Sequence, residues 1–258
     1  MNLPAGLPEA FAALRGHDWT PIIIGRSDAK VWRITLTDGA MVFLKSERRH
    51  PLGELAGEIE RLEWLTRMGF KAPRVIDTAE AEGQVFLLMT AVPGEDLTHG
   101  IDEPEALCRV YAQGLKRLHA LDPSACPFDH ELDARLAQAE ARMAAGLVDE
   151  SDFDTAHIGW SARQVFDWLV ANRPGPGERL VTHGDASAPN IMMLDGRFSG
   201  MVDCGRLGVA DLWQDLALAS RSIAYNVGER HVAGFLAAYG ASWDEAKYRY
   251  YCALDEMF

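Results

Sequence analysis

An aspartate, an asparagine five residues later and a second aspartate thirteen beyond that have the types and spacing to do chemistry together. They are Asp185, Asn190 and Asp203, set in His183-Gly184-Asp185-Ala186-Ser187-Ala188-Pro189-Asn190 and Asp203-Cys204-Gly205. One carboxylate can orient an attacking hydroxyl and accept its proton. An asparagine carbonyl and a second carboxylate are hard oxygen donors, suited to Mg²⁺ on nucleotide phosphates. The set points to phosphoryl transfer, with Asp185 as base and Asn190 and Asp203 as metal ligands. A loop that only caps a helix would use the same residue types, so the rest of the chain has to decide. His183 is expected to orient this loop through hydrogen bonds rather than to carry a proton.

These side chains need elements to hold them. Residues 191–194 and 198–202 read as two short apolar strands around Asp195-Gly196-Arg197, a hairpin that would set Asn190 beside Asp203. Helical patterns cover 103–121, 130–145, 161–172, 211–225, 229–239 and 244–258, with a short strand at 179–182. Asp215 is expected to hold backbone amides, and residues 216–219 to be core. Earlier in the chain, a short helix at 7–14 precedes strands at 19–25, 30–36 and 40–45. A helix follows at 52–68, with Leu55, Ile59, Leu62 and Leu65 on one face, then strands at 74–78 and 84–89. Val92-Pro93-Gly94 breaks the pattern. The expected fold is α+β and two-lobed: a small sheet lobe over 1–92 and a larger, mainly helical lobe over 93–258.

The first lobe carries the residues a nucleotide would need. Lys45 ends the third strand and Glu58 lies in the helix after it, as a phosphate-binding lysine and its carboxylate partner would. A lysine after a strand is more often simply solvated; its spacing to Glu58 and the downstream set argue otherwise. The loop Gly25-Arg26-Ser27-Asp28-Ala29 lacks a GxGxxG pattern, yet its amides and the Ser27 hydroxyl could cover a phosphate. Phe43 shares a strand face with Lys45 and could stack on adenine or pack as core. Thr90 and Val92, through carbonyl and amide, could pair with the adenine edge.

Composition narrows the partners. Net charge is −13 over 258 residues, which disfavours nucleic acid and suits a cationic small molecule. Four scattered cysteines show no metal-ligand spacing and read as reduced. No signal-peptide pattern and no run of 18 apolar residues is present, so the expectation is a cytoplasmic protein with no membrane span, monomeric or weakly dimeric.

With these residues in view, the chain resembles the aminoglycoside 3'-phosphotransferases. The carriers are Ile24-Gly25-Arg26-Ser27-Asp28-Ala29, Lys45, Val92-Pro93-Gly94-Glu95-Asp96-Leu97 and Arg117-Leu118-His119. They continue through Leu121-Asp122-Pro123, Cys126-Pro127-Phe128-Asp129-His130 and Ala145-Gly146-Leu147-Val148-Asp149 to the His183 motif. Phe198-Ser199-Gly200-Met201-Val202-Asp203-Cys204-Gly205-Arg206-Leu207-Gly208-Val209-Ala210-Asp211 is the densest match. Trp213-Gln214-Asp215-Leu216-Ala217-Leu218-Ala219 and Leu254-Asp255-Glu256-Met257-Phe258 complete it.

The resemblance implies a kinase-like fold, ATP with Mg²⁺, and phosphorylation of a 3'-hydroxyl on a polycationic antibiotic, giving resistance. It implies amine contacts from Asp152, Asp255, Glu256 and the carboxylate of Phe258, and a pocket lined also by Arg206 and Arg221. Asp255 and Glu256 sit near a helix end, where the macrodipole disfavours each by about 0.3–1 kcal/mol. That suggests a cationic partner, or else a solvated, fraying tail. Thr155, Ser222 and Tyr225 stand where such relatives carry acids, so the antibiotic range is expected to differ. The alternatives are a kinase for another cationic or hydroxylated metabolite, such as choline or an amino sugar, and a non-catalytic antibiotic-binding protein.

Overall fold

The computed structural model describes residues 3–4, 6–23 and 29–258. The chain divides into two compact units, Met1–Val92 and Pro93–Phe258. In the first, period-two alternation of apolar residues builds an antiparallel sheet. Its strands are β1 (Asp18–Ile22), β2 (Lys30–Thr35), β3 (Met41–Arg48), β4 (Val75–Ala81) and β5 (Gln84–Thr90), in the order β1-β2-β3-β5-β4. Trp19, Trp32, Ile34, Val42, Leu44, Phe86 and Leu88 point to one face and pack with Phe11. Phe11 comes from Glu9–Gly16, where the short helix expected over 7–14 takes the 3₁₀ form. Alternation then sends Phe43 and Lys45 to the opposite face.

Helix α1 (Leu55–Arg67) is inserted between β3 and β4. It buries Leu55, Glu58, Leu62, Trp64 and Leu65, while Ile59 is only partly covered. The buried stripe therefore admits one carboxylate, Glu58.

The second unit opens with β6 (Glu95–Asp96), then α2 (Pro104–His119), α3 (Leu132–Ala144), α4 (Ala162–Ala171) and β7 (Arg179–Thr182). Strands β8 (Ile191–Leu194), β9 (Arg197–Met201) and β10 (Gly208–Asp211) precede α5 (Trp213–Val227), α6 (Val232–Tyr239) and α7 (Glu245–Asp255). Helix α4 starts on a capping box of Ser161 and Gln164, a device that stabilises a helix start by satisfying two orphan amides. Helix α5 is buried from Trp213 to Ser220 without interruption, as a helix at the centre of a core must be. It includes the apolar run 216–219. Strands β8 and β9 pair antiparallel with β6 at the other edge of β8. Their turn is two residues, Asp195 at φ 51° and Gly196 at φ 69°. Both have the positive φ of a type I′ hairpin, which Asp-Gly favours. Among the described residues, no helix is long and apolar enough to cross a membrane.

Candidate active site

In the first unit, Lys45 Nζ lies 2.7 Å from Glu58 Oε2. Lysine exposure is 7% and glutamate exposure 1%. Two charges this deep persist because they pair with each other. Phe43 is half-buried, outside the sheet core formed by its neighbours Val42 and Leu44. Thr90 ends β5 and is fastened to Arg74. Its N–H donates to the Arg74 carbonyl at 3.0 Å, and its hydroxyl accepts from the Arg74 N–H at 2.9 Å. Val92 is the last residue of the unit. Ser27 and the loop around it lie outside the described residues.

In the second unit, the hairpin does what its sequence predicts. Ile191 pairs with Met201, and the Val202 N–H donates to the Asn190 carbonyl at 3.0 Å. Asp203 follows directly, at φ 56° and ψ 55°. A non-glycine residue in the left-handed region is strained, and here the strain falls on a proposed metal ligand. The Asn190 amide group donates to the Asp185 carbonyl at 3.0 Å and to Asp185 Oδ2 at 2.9 Å. With its NH₂ so committed, Asn190 keeps its carbonyl oxygen for a cation. One amide oxygen and one carboxylate fit Mg²⁺, which takes few protein ligands and completes its shell with phosphates and water.

The loop bearing Asp185 is held from several sides. The Asp215 carboxylate accepts from the His183 N–H at 2.7 Å and the Gly184 N–H at 2.9 Å. His183 Nε2 meets the Val202 carbonyl at 2.9 Å, and its Nδ1 accepts from the Asp185 N–H at 3.3 Å. The histidine is therefore a brace between the two halves of the motif. Tyr111 donates to the Ala186 carbonyl at 2.8 Å, and the Ser222 hydroxyl accepts from the Ala188 N–H at 2.9 Å. Gly184 has φ 83°, and a Cβ there would stand 2.1 Å from the Arg206 carbonyl. Only glycine fits.

Burial raises the Asp185 carboxyl above the ordinary aspartate range. Asp255 and Asp203 add to this, and Arg206 and His183 oppose it. Asp255 itself is held low despite its burial, because Arg221 and Arg206 pair with it. Arg206 Nη1 is 3.3 Å from Asp255, and Arg221 bonds both Asp255 and Asp154, the latter at 3.1 Å. The acid limb of kcat/KM should accordingly lie above the pH of an ordinary aspartate, activity falling as Asp185 takes up its proton. Asp255→Asn removes a raising charge and releases Arg206. The limb should then move to lower pH in a pH–rate profile; an unmoved or raised limb contradicts this account.

The remaining expected site residues behave differently. Glu256 turns to His157, 2.8 Å away, and accepts the Asp154 N–H at 3.1 Å. The Phe258 ring stacks on the Arg135 guanidinium at 3.3 Å, and its carbonyl accepts from Arg142 at 2.9 Å and Arg206 at 3.3 Å. This tail is neither solvated nor fraying. The groups that hold its acids are the chain's own: Arg206 and Arg221 for Asp255, and His157 for Glu256. Asp152 is exposed in the single 3₁₀ turn Glu150–Asp152. Thr155 is exposed, Ser222 supports the Asp185 loop, and Tyr225 is 89% exposed on α5. Asp154, Arg135, Arg142 and His157 were not anticipated. Arg135 did leave a signal, standing four residues from buried Ala139 on the inward stripe of α3.

The chain matches the APH family, described as a phosphotransferase enzyme family, over residues 18–251. It is 34% identical over 256 residues to an aminoglycoside 3'-phosphotransferase of Streptomyces fradiae, covering 94% of this chain and 96% of that protein. A solved aminoglycoside-3'-phosphotransferase of type VIII superposes with a TM-score of 0.86 at 34% identity, covering 96% of this chain and 98% of the other. The aminoglycoside phosphotransferase APH(3'')-Id of Streptomyces rimosus, solved with ADP and streptomycin, gives 0.79 at 26% identity, with 96% and 97% covered. The chain belongs to the phosphotransferase enzyme family, among the aminoglycoside 3'-phosphotransferases.

Proposed function

We propose that this protein transfers the γ-phosphoryl group of ATP to the 3'-hydroxyl of kanamycin- and neomycin-type aminoglycosides, and so confers resistance to them. The observation that supports the reading is the hydrogen-bonded pair Asp185–Asn190, with the Asn190 carbonyl accepting from Val202, the residue before Asp203. Asp185 receives the proton of the attacking hydroxyl, and its raised carboxyl pKa makes it a better base than a solvated aspartate. The Asn190 amide fixes the carboxylate's direction. Asn190 and Asp203 would hold Mg²⁺, which supplies charge neutralisation on the phosphates when bound. Lys45, kept in place by Glu58, binds phosphate oxygens. Phe43, Thr90, Val92 and Ser27 are assigned to the nucleotide's base and phosphates.

On the acceptor side, Asp152, Asp255, Glu256 and Phe258 with Arg206 and Arg221 form the proposed amine-binding group. Asp255 meets an amine only in competition with Arg221, so its contribution is net of an existing ion pair. Asp255→Asn should raise KM for kanamycin about tenfold or more, the worth of one charge-assisted contact. KM for ATP should stay within about twofold. Equal rises in both would remove Asp255 from the acceptor site.

The arginine pairing of Asp255 and Asp154 favours a second reading, a kinase for a less charged hydroxylated metabolite. Acceptor-dependent ADP release with kanamycin, choline and glucosamine in parallel separates the two. Release with kanamycin alone supports the proposal; release with choline or glucosamine alone replaces it.

A further inference from the structure

His157 is a buried titratable group that the phosphoryl-transfer chemistry leaves unused. It lies in residues 153–160, between the turn Glu150–Asp152 and α4. The flanks of that stretch are tied together, the Ala162 N–H donating to Glu150 Oε1 at 2.7 Å. The imidazole sits in an aromatic corner, its centroid 4.9 Å from that of Trp160 and 6.0 Å from that of Trp168. Its Nδ1 faces Glu256 Oε2 across 2.8 Å, with 11% of the histidine side chain and 4% of the glutamate side chain exposed. The other carboxylate oxygen, Oε1, accepts the Asp154 N–H at 3.1 Å. The His157 N–H then returns to the Asp154 carbonyl at 2.8 Å. Asp154, His157 and Glu256 thus form a closed ring that joins this loop to the end of α7.

We propose that His157 is a specificity-determining positioning residue for the acceptor: it fixes the Glu256 carboxylate and, through Glu256, the backbone of Asp154. The inference rests on the amine-binding role given to Glu256 above. The contacts continue outward from the ring. Asp154 Oδ2 lies 3.1 Å from Arg221 Nη1, and Arg221 also bonds Asp255. Two acids on this path, Glu256 and Asp255, belong to the proposed amine-binding group, and His157 stands behind both.

The physical basis is the depth of Glu256. A carboxylate taken out of water needs a donor at each oxygen, or it gives up its charge. Burial pushes the Glu256 carboxyl above its ordinary range, and His157 and the Asp154 amide oppose that rise. Without His157, Oε2 loses its partner. Glu256 then turns to find another donor or takes up a proton, and either way it offers an amine less charge. The base is spared, because the Asp185 contacts run to Asn190 and His183 and not to this ring.

The test separates the ring of His157 from its donor. Phenylalanine keeps a ring beside Trp160 and Trp168 but has no N–H; asparagine gives up the ring and keeps an N–H at the Nδ1 position. His157→Phe should raise KM for kanamycin about tenfold or more, the worth of one charge-assisted contact. Its kcat should stay within about threefold of wild type and its KM for ATP within about twofold. His157→Asn should hold KM for kanamycin within about threefold. Added to Glu256→Gln, His157→Phe should cost less than about twofold more, because its effect runs through that carboxylate. Amide exchange at Asp154 should quicken in His157→Phe and not in His157→Asn. If His157→Phe does not fold, His157→Gln takes its place, since its longer side chain carries the N–H past the Nδ1 position. An unchanged KM for kanamycin, equal rises in His157→Phe and His157→Asn, a matching rise in KM for ATP, or an undiminished effect beside Glu256→Gln would overturn the proposal. If the wild-type protein turns over no acceptor, the proposed function fails instead, and exchange at Asp154 still decides whether His157 fixes Glu256.

Discussion

Asp185→Ala loses turnover by roughly 10³-fold, within the range a positioned general base supplies, while affinity for the nucleotide changes by less than about twofold. The asymmetry follows from what Asp185 touches. Its carboxylate accepts from Asn190, and its backbone is braced by His183. None of these contacts binds phosphate. Single-turnover kinetics beside nucleotide titration would show the split. A variant retaining turnover within tenfold of wild type would remove Asp185 from the base role, and a matched loss of nucleotide affinity would make it a binding residue. The raised pKa also bears on stability. A carboxyl raised in the folded state costs stability above its unfolded pKa, so the neutral Asp185→Asn variant should be at least as stable as wild type at neutral pH.

The second large effect concerns Lys45 and Glu58. Glu58→Ala leaves a buried ammonium with its carboxylate partner gone, at a cost of about 3–5 kcal/mol. In a unit of this size that corresponds to a fall in its melting temperature of more than about 10 °C. The matched apolar pair Lys45→Met with Glu58→Leu removes both charges together, and its stability should lie close to wild type. Turnover should nevertheless be lost in both, because neither presents the ammonium to phosphate. Thermal melts and turnover measured on the two variants separate structural from chemical roles. If the double variant were as unstable as the single one, the pair would not be balanced in the way its geometry suggests. If it kept wild-type turnover, Lys45 would have no part in nucleotide chemistry.

The elements that build the sheet and the helices were legible because their apolar periods are strong. The strand Arg179–Thr182 and the uninterrupted burial of residues 216–219 are cases in point; the hairpin turn was expected to span Asp195-Gly196-Arg197, but Arg197 pairs with Leu194 and opens β9. Strands β6 and β10 were missed. Strand β6 spans two residues, too short for an alternation to register, and β10 begins on Gly208 and ends on Asp211, leaving no apolar run of strand length; both exist because a neighbouring strand supplies their partners. The first helix is 3₁₀ and sends Phe11 into the sheet core; nothing local in its sequence specifies the tighter turn.

Within the candidate site, the residues proposed to carry chemistry form two groups, Lys45 with Glu58 and Asp185 with Asn190 and Asp203, each close enough in sequence to be read from spacing. The residues that oppose them electrostatically could not. Arg221 meets Asp154 and Asp255 across 67 and 34 positions. His119 meets Asp215 across 96. Such partners are fixed by the packing of α2, α5 and α7, which no local pattern encodes. For the same reason Asp255 and Glu256 looked like open acids awaiting a ligand, while the folded chain already supplies Arg206, Arg221 and His157 to them.

The most direct measurement is MgATP turnover with kanamycin beside tobramycin, an aminoglycoside that lacks the 3'-hydroxyl. The account predicts acceptor-dependent ADP release and phosphate incorporation with kanamycin and none with tobramycin. Turnover with both would place the phosphate on another hydroxyl. Turnover with neither, while MgATP still binds, would contradict the central claim and move the search for the acceptor to another metabolite, with Thr155, Ser222 and Tyr225 the positions to examine first.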